Sequence, residues 1–264
     1  MFKIIKQYAC IFFIMASYNV TAQQLDKNNT PPESKNEETG ENKMNVIKLN
    51  ISNIHLRNYT VQYERILTRK TSLALSIRIM PNGGLPSRKS LRDLADGDID
   101  VLKVIDNARI GNFAITPEFR FYTGNKGYGR GFYFAPYYRF ARFTGENIPI
   151  DYNGGTTTQT INLKGDLNTH SGGLMIGAQW WLTEFFSLDW WILGAQYGIG
   201  KGTFSGTTSI PLTLAEQDDI SQNIRDFNLP FGKVTSDVSA NSIKAVYDGA
   251  FAGLRGGITI GFRF

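Results

Sequence analysis

The sequence predicts an all-β protein: a closed antiparallel eight-stranded transmembrane β-barrel with long extracellular loops and short periplasmic turns. Three observations lead to this fold class. Apolar and polar residues alternate in eight segments after residue 44, which is the period of a β-strand. The connections between these segments are alternately short and long. No window contains the ~18 consecutive apolar residues that a membrane-spanning helix would need.

Residues 1–22 are predicted to be a secretory signal peptide. Lys3 and Lys6 form its positive region, an apolar run over 11–15 follows, and the small residues Val20-Thr21-Ala22 precede a cleavage point. The apolar run is much shorter than the ~20 residues of a transmembrane helix. The segment is therefore expected to be removed rather than to anchor the chain.

Residues 23–43 are predicted to form a disordered periplasmic linker, because one aliphatic residue stands among many Asn, Glu, Lys and Pro. The barrel is predicted over 44–264. The only cysteine, Cys10, lies in the signal peptide, so no disulfide is expected in the mature chain. Loss of Lys3 and Lys6 lowers the formal net charge from +5 to +3, and no basic cluster follows. No nucleic-acid partner is expected.

The first four strands are predicted over 46–54, 59–67, 72–80 and 111–122. Each has one apolar face and one polar face. Their apolar faces carry, in order, Ile47, Leu49 and Ile51; Val61 and Tyr63; Leu73, Leu75, Ile77 and Ile79; and Phe113, Ile115, Phe119 and Phe121.

The last four strands are predicted over 131–143, 170–182, 187–199 and 250–264. Their apolar faces carry Phe132, Phe134, Tyr138 and Phe140; Leu174, Ile176, Ala178, Trp180 and Leu182; Leu188, Trp190 and Ile192; and Leu254, Ile258, Ile260, Phe262 and Phe264. The seventh strand is ambiguous, because Trp191 and Leu193 make its second face apolar as well.

The connections set the predicted topology. Links over 68–71, 123–130 and 183–186 are short, and the link around 53–58 is tight. Links over 81–110, 144–169 and 200–249 are long. Short periplasmic turns and long extracellular loops are typical of outer-membrane barrels. An even strand count then predicts a periplasmic N-terminus.

Aromatic residues near the short turns decide which face meets lipid. Trp180, Trp190, Phe262 and Phe264 are predicted to lie at the periplasmic interface, a level that aromatic rings favour. The apolar faces then point to lipid and the polar faces to a lumen just wide enough for side chains.

Charged residues on the polar faces are predicted to form an interior ion network. Its members are Glu64, Arg78, Glu118, Arg120, Arg139, Asp189, Arg255 and Arg263. Five arginines outnumber three acids, so some guanidinium groups are expected to reach water or loop carbonyls. The predicted role is structural or surface-interacting and not enzymatic. Two alternatives stay open: a narrow passive pore, and a rim-sited outer-membrane hydrolase or acyltransferase.

Residues 44–264 resemble the eight-stranded outer-membrane barrels of the OmpA/OmpX type, and more closely a family of such barrels found in Bacteroidota. The residues that carry the likeness are Ala22-Gln23-Gln24, Tyr63-Glu64-Arg65 and Gly261-Phe262-Arg263-Phe264. The resemblance implies a Gram-negative outer membrane, contact with the lipid bilayer and lipopolysaccharide, and recognition of Phe264 by the barrel-assembly machinery. An extracellular ligand for the loops stays open.

Two further segments have the composition of possible binding sites, but neither a metal nor a cofactor is expected. Asp96–Asp100 spaces carboxylates like a calcium loop but lacks the later glycine and glutamate, which favours a solvated acidic loop. Its neighbours Leu91, Leu94, Val101, Leu102 and Ile105 predict a short amphipathic helix. The glycine-rich segment 124–131 joins two strands and predicts a turn rather than a phosphate-binding loop.

The two histidines, His55 and His170, are both expected near the extracellular rim. His170-Ser171 with Asp151 or Asp166 would imitate a catalytic grouping only if the side chains came within hydrogen-bond reach. Two histidines are too few to predict a zinc site.

Overall fold

The computed structural model describes residues 43–154, 157–225 and 232–264. The predicted signal peptide 1–22 and all of the predicted linker 23–43 except Lys43 lie outside the described residues. In chain order the strands are β1 (Asn45–Asn50), β2 (Tyr59–Ile66), β3 (Thr71–Gly84), β4 (Arg109–Tyr122), β5 (Gly131–Gly154), β6 (Thr157–Trp181), β7 (Phe186–Thr207), β8 (Gly232–Val238) and β9 (Ser242–Arg263). The helices are α1 (Arg88–Leu94), α2 (Ile99–Asn107) and α3 (Leu214–Arg225), with a 3-10 turn at Ile54–Leu56.

One antiparallel sheet contains all of these strands, which confirms the all-β prediction. Strands β1 to β6 each pair with the next strand in sequence, and β7 pairs with β9. The last residues of β9 pair with β1, from Val46 with Arg263 to Asn50 with Thr259. Eight strands therefore form a ring-like sheet. Strand β8 pairs with the first residues of β9, so the prediction that 200–249 is a loop without strands was wrong.

Alternation along each strand separates two chemically different faces. On β3, Leu73 and Ile77 are 50% and 43% exposed, whereas Ala74 and Ser76 are 1% and 2% exposed. The same pattern recurs on β2, where every second residue is buried. Large apolar side chains therefore cover the outside of the ring, and polar or small side chains fill its inside.

Strands β5 and β6 are much longer than the sequence predicts. The predicted loop 144–169 is a two-stranded extension, paired from Ile148 with Leu163 up to Gly154 with Thr157. A register shift between Gly145 and Ile148 marks where the extension begins. The alternation of apolar residues continues through this region, as at Ile148 and Ile150.

Helices α1 and α2 occupy the predicted loop 81–110. Val101, Val104 and Ile105 are buried in a small cluster with Leu85, and Ile148 of β5 packs against it. The single predicted amphipathic helix is thus two helices, and Leu94 is 69% exposed rather than part of the packed face.

A second small cluster lies under α3. It consists of Tyr152, Ile161, Leu212 and Ile243, with Ile220 and Ile224 of α3 packed against it. The segments at this end of the sheet are therefore held by apolar contacts of their own. No helix in the described ranges has the length and apolarity needed to cross a membrane.

A β-bulge explains the ambiguous seventh strand. Trp191 of β7 pairs with Gly177 of β6. The residue that precedes Gly177, Ile176, pairs with Leu193, so Ile192 has no partner on β6. Ile192 is the extra residue, and it shifts the alternation by one. Trp191 is consequently 4% exposed and faces inward, whereas Leu193 is 43% exposed and faces outward. The prediction that Ile192 continues the outer face of Trp190 was wrong.

Candidate functional site

Arg120 on β4 is the centre of a charged layer inside the ring. Its side chain is fully buried. Its Nη1 donates to Asp189 Oδ2 at 2.8 Å, and its Nη2 donates to Glu118 Oε2 at 3.1 Å and to Gln62 Oε1 at 2.8 Å. Glu64 Oε2 lies 3.4 Å from the same guanidinium group. One arginine thus contacts three carboxylates from three different strands.

Lys48 on β1 completes this layer. Its Nζ forms ion pairs with Glu64 and, at 2.7 Å, with Asp189. It also donates to Gln179 Oε1. The sequence prediction of the network left Lys48 out, although alternation placed it on the polar face of the first strand. Gln62 and Gln179 were missed as well, because uncharged residues give no charge pattern to follow.

Aromatic donors complete the coordination of two acids. Tyr122 donates its hydroxyl proton to Glu64 Oε1 at 2.6 Å. Tyr133 donates to Asp189 Oδ1 at 2.8 Å, and Trp191 Nε1 donates to Asp189 Oδ2 at 3.2 Å. Because buried carboxylates need hydrogen bonds as well as counter-charges, these contacts stabilise the charged layer. No motif in the sequence indicates these roles.

The remaining predicted members lie at different levels. Arg255 Nη1 is 2.7 Å from Glu118 Oε1, close enough for an ion pair although the two groups are not aligned as a hydrogen bond. Arg139 donates to Thr116 Oγ1 at 3.2 Å. Arg78 lines the same cavity as Arg139 and Arg255. Arg263 lies at the end of β9, donates to the Lys43 carbonyl and stands 3.6 Å over the Trp181 ring.

The structure thus brings together five of the eight predicted network residues. These five, linked to one another by ion pairs, are Glu64, Glu118, Arg120, Asp189 and Arg255. Glu118 and Arg120 both lie on β4, but the other ion pairs join strands that are not neighbours in the sheet, so these contacts cross the lumen. The layer fills the inside of the ring at this level.

The predicted interface aromatics all face outward. Trp180 and Trp190 are each 41% exposed, and Phe262 and Phe264 are 48% and 47% exposed. Phe262 contacts Phe185, Phe186 and Phe264, with ring centroids 5.8 to 6.5 Å apart. An aromatic patch therefore covers the β6, β7 and β9 side of the end of the ring that carries the short turns.

The predicted catalytic grouping around His170 is not assembled. His170 and Ser171 are successive strand residues and point to opposite faces. His170 Nδ1 is 2.6 Å from the Tyr138 hydroxyl, whereas Ser171 Oγ donates to the Arg139 carbonyl inside the ring. The Asp151 carboxylate accepts hydrogen bonds from Lys103 and Thr160. His55 is exposed in the 3-10 turn.

Asp98, in the predicted acidic loop, is the N-cap of α2. Its Oδ1 accepts from the backbone N–H groups of Asp100 and Val101 at 3.0 and 3.2 Å. Across 43–154, 157–225 and 232–264, no group of three His, Cys, Asp or Glu side chains is placed to hold a metal. The segment 124–131 connects β4 to β5.

An ion pair ties α2 to the β5 extension. Lys103 Nζ lies 2.5 Å from Asp151 Oδ2, and Thr160 donates to Asp151 Oδ1 at 2.6 Å. Partial burial raises the pKa of Asp151, but the hydrogen bonds from Lys103 and Thr160 outweigh it and hold that pKa below its ordinary value. The pKa of Lys103 is raised by the same hydrogen bond and by the negative charge of Asp151.

Comparison with known proteins gives little further information. No protein-family model matches the chain, and no curated protein matches it. The chain is similar to the N-terminal β-barrel domain of Pseudomonas aeruginosa OprF, at 12% identity, over 83% of this chain and 95% of that one, with a TM-score of 0.26. At this identity and TM-score, the likeness supports no conclusion about this chain's function.

Proposed function

We propose that this protein is an outer-membrane β-barrel with a structural or surface-interaction role, its interior filled by the ion network. The observation that carries the proposal is the inversion of polarity: large apolar side chains are exposed around the ring, and charged side chains are buried inside it. A water-soluble barrel would instead bury its apolar face inside and expose its polar face to water. A ring with an apolar outside and a charged inside is stable when lipid surrounds it.

The apolar surface is continuous around the ring. Each strand of the ring contributes to it. Its exposed members, each between 39% and 51% exposed, include Leu49 on β1, Val61 on β2, Leu75 on β3, Phe113 on β4, Phe134 on β5, Leu174 on β6, Leu193 on β7 and Ile260 on β9. Monomeric soluble proteins rarely expose apolar patches larger than a few hundred Å². The outward-facing aromatic residues at the short-turn end fit the interface level of a bilayer.

The long strands support a display role. A transmembrane strand needs ~9–11 residues, whereas β5 has 24. The excess of ~13 residues extends roughly 30 Å beyond the lipid, at ~3.3 Å per residue and a tilt of about 45°. In this proposal the extension and helices α1 to α3 face the cell exterior and meet an extracellular ligand, while the short turns and the N-terminus face the periplasm.

The filled lumen favours a structural role over a conducting one, because an eight-stranded ring has room only for side chains. We therefore expect no current steps above leak in planar bilayers. We further propose that lipopolysaccharide contacts the outer surface, that the barrel-assembly machinery recognises the C-terminal strand with Phe264, and that the chain belongs with OmpA-type barrels of Bacteroidota.

A charge on the proposed lipid face tests the orientation. Leu75→Arg, in protein folded into lipid vesicles, is expected to lower the free energy of unfolding by ~2–4 kcal/mol, as for arginine near a bilayer midplane. Ile150→Arg is the matched control, because Ile150 is 36% exposed on the extension beyond the proposed lipid. Equal, small effects of both variants, or a mature chain that is soluble and monomeric without detergent, would overturn the proposal.

A further inference from the structure

Three arginines face one small cavity inside the ring, next to the ion network. Arg78 comes from β3, Arg139 from β5 and Arg255 from β9, and the hydroxyl-bearing residues Thr60 and Ser76 line the same cavity. No acidic side chain lines it. The cavity has room for about one water-sized occupant.

The charges inside the ring do not balance. Apart from Arg263 at the end of β9, the buried or lumen-facing cations are Lys48, Arg78, Arg120, Arg139 and Arg255, and the acids are Glu64, Glu118 and Asp189, which leaves an excess of two positive charges around the network and the cavity. Lys48, Arg120 and Arg255 take up all three acids. Within the described ranges, Arg78 and Arg139 have no carboxylate within ion-pair distance, so the excess lies at the cavity.

The donors that face the cavity are incompletely used. Arg78 Nε is buried and has no hydrogen-bond partner among the described residues. Arg139 is 5% exposed, and its hydrogen bond to Thr116 uses one of its five N–H groups. Ser76 Oγ accepts from Gln62 Nε2 at 2.8 Å, so its own proton stays available. Unmatched buried donors of this kind are unfavourable without a partner.

We propose that this cavity binds one small inorganic anion of the size of chloride, held by Arg78, Arg139 and Arg255. A water molecule would accept hydrogen bonds there but would not neutralise the excess charge. A phosphate or a carboxylate metabolite is too large for a space of this size. The site goes beyond the proposed structural role and does not depend on which side of the membrane the loops face.

Anomalous diffraction tests the site in the full chain, crystallised from detergent with sodium bromide. The expected result is a bromide peak among the three guanidinium groups. A peak confined to the protein surface, or no peak, would overturn the proposal. Because this measurement uses the unaltered protein, it does not depend on any variant folding.

Chloride-35 NMR line broadening tests the site in detergent solution. Saturable broadening is expected, with the affinity at least tenfold weaker in Arg78→Gln and Arg139→Gln, since each change removes a charged donor. Arg142→Gln is the matched control. Arg142 lies on β5, as Arg139 does, but its side chain is 56% exposed. Equal affinity in all three variants and the unaltered chain would overturn the proposal, even if the lipid-face test succeeds.

Discussion

Replacement of Lys48 tests whether the interior ion pairs stabilise the barrel as a connected group. Lys48→Met leaves Glu64 and Asp189 without their lysine, but Asp189 keeps Arg120 at 2.8 Å and Tyr133 at 2.8 Å. Glu64 keeps the Tyr122 hydroxyl at 2.6 Å, but the nearest remaining cation, Arg120, is 3.4 Å away, so most of the loss falls on Glu64. Removing one partner of a buried ion pair costs ~3–5 kcal/mol. We expect Lys48→Met to lower the free energy of unfolding by about 3 kcal/mol, near the lower end of this range.

Adding Glu64→Gln to the same chain then removes the acid that loses its nearest cation in Lys48→Met. The double variant is expected to be more stable than the sum of the single changes implies, by roughly 1–3 kcal/mol. The assay is equilibrium urea unfolding in lipid vesicles, followed by tryptophan fluorescence. Arg92→Met is the control, because the Arg92–Asp106 ion pair is about half exposed and should have no measurable effect. Additivity of the two interior changes would refute a connected network.

Three other outcomes are expected. The pKa of Asp151 is lowered from 3.8 in the folded state, so its contribution to stability is present above pH 3.8 and is lost progressively as the pH falls below that value. The protection of the α2 amides, expressed relative to the intrinsic exchange rate at each pH, should therefore fall at low pH in the unaltered chain but stay constant in Asp151→Asn. Gly177→Ala should destabilise the barrel by ~1–3 kcal/mol in urea unfolding, because a Cβ there meets the Tyr133 ring, whereas Gly172→Ala, with open space around it, should be neutral. Protease added to intact cells should cut in 85–108 or 208–213 but not in 68–70 or 182–185, and cuts in the short turns would invert the proposed topology.

The sequence predicted the strands of the ring well where one face is consistently apolar. On β3 and β4 the alternation continues through the predicted ranges 72–80 and 111–122, so the two faces could be inferred there. Strand β3 nevertheless runs on to Gly84, past a register shift after Met80, and β4 begins at Arg109. The seventh strand could not be assigned in the same way, because the extra residue Ile192 changes the phase of the alternation. A bulge depends on how the neighbouring strands pair, and pairing is not visible in one strand's residues.

The composition of the ion network could be predicted in part, but its connections could not. Alternation places Glu64, Arg120 and Asp189 on polar faces, and a narrow lumen requires such charges to pair. Which partners meet depends on strand register across the ring: Lys48 and Asp189 are 141 residues apart in sequence. The extension of β5 and β6 was missed for a related reason, because glycines such as Gly145 indicate turns as well as bulges in a long strand.

The large buried side chains fit inside an eight-stranded ring because the strands next to them carry glycines, which add almost no side-chain volume there. A Cβ at Gly173 would lie 2.5 Å from the Tyr137 ring, and one at Gly194 would lie 2.7 Å from Arg255 Cγ. A Cβ at Gly177 would overlap Tyr133, whose hydroxyl binds Asp189. The glycines of β6 and β7 therefore face the aromatic and charged residues of β5 and β9. Since the lumen has little spare volume, the positions of the glycines determine where the charged layer and the arginine-lined cavity can form.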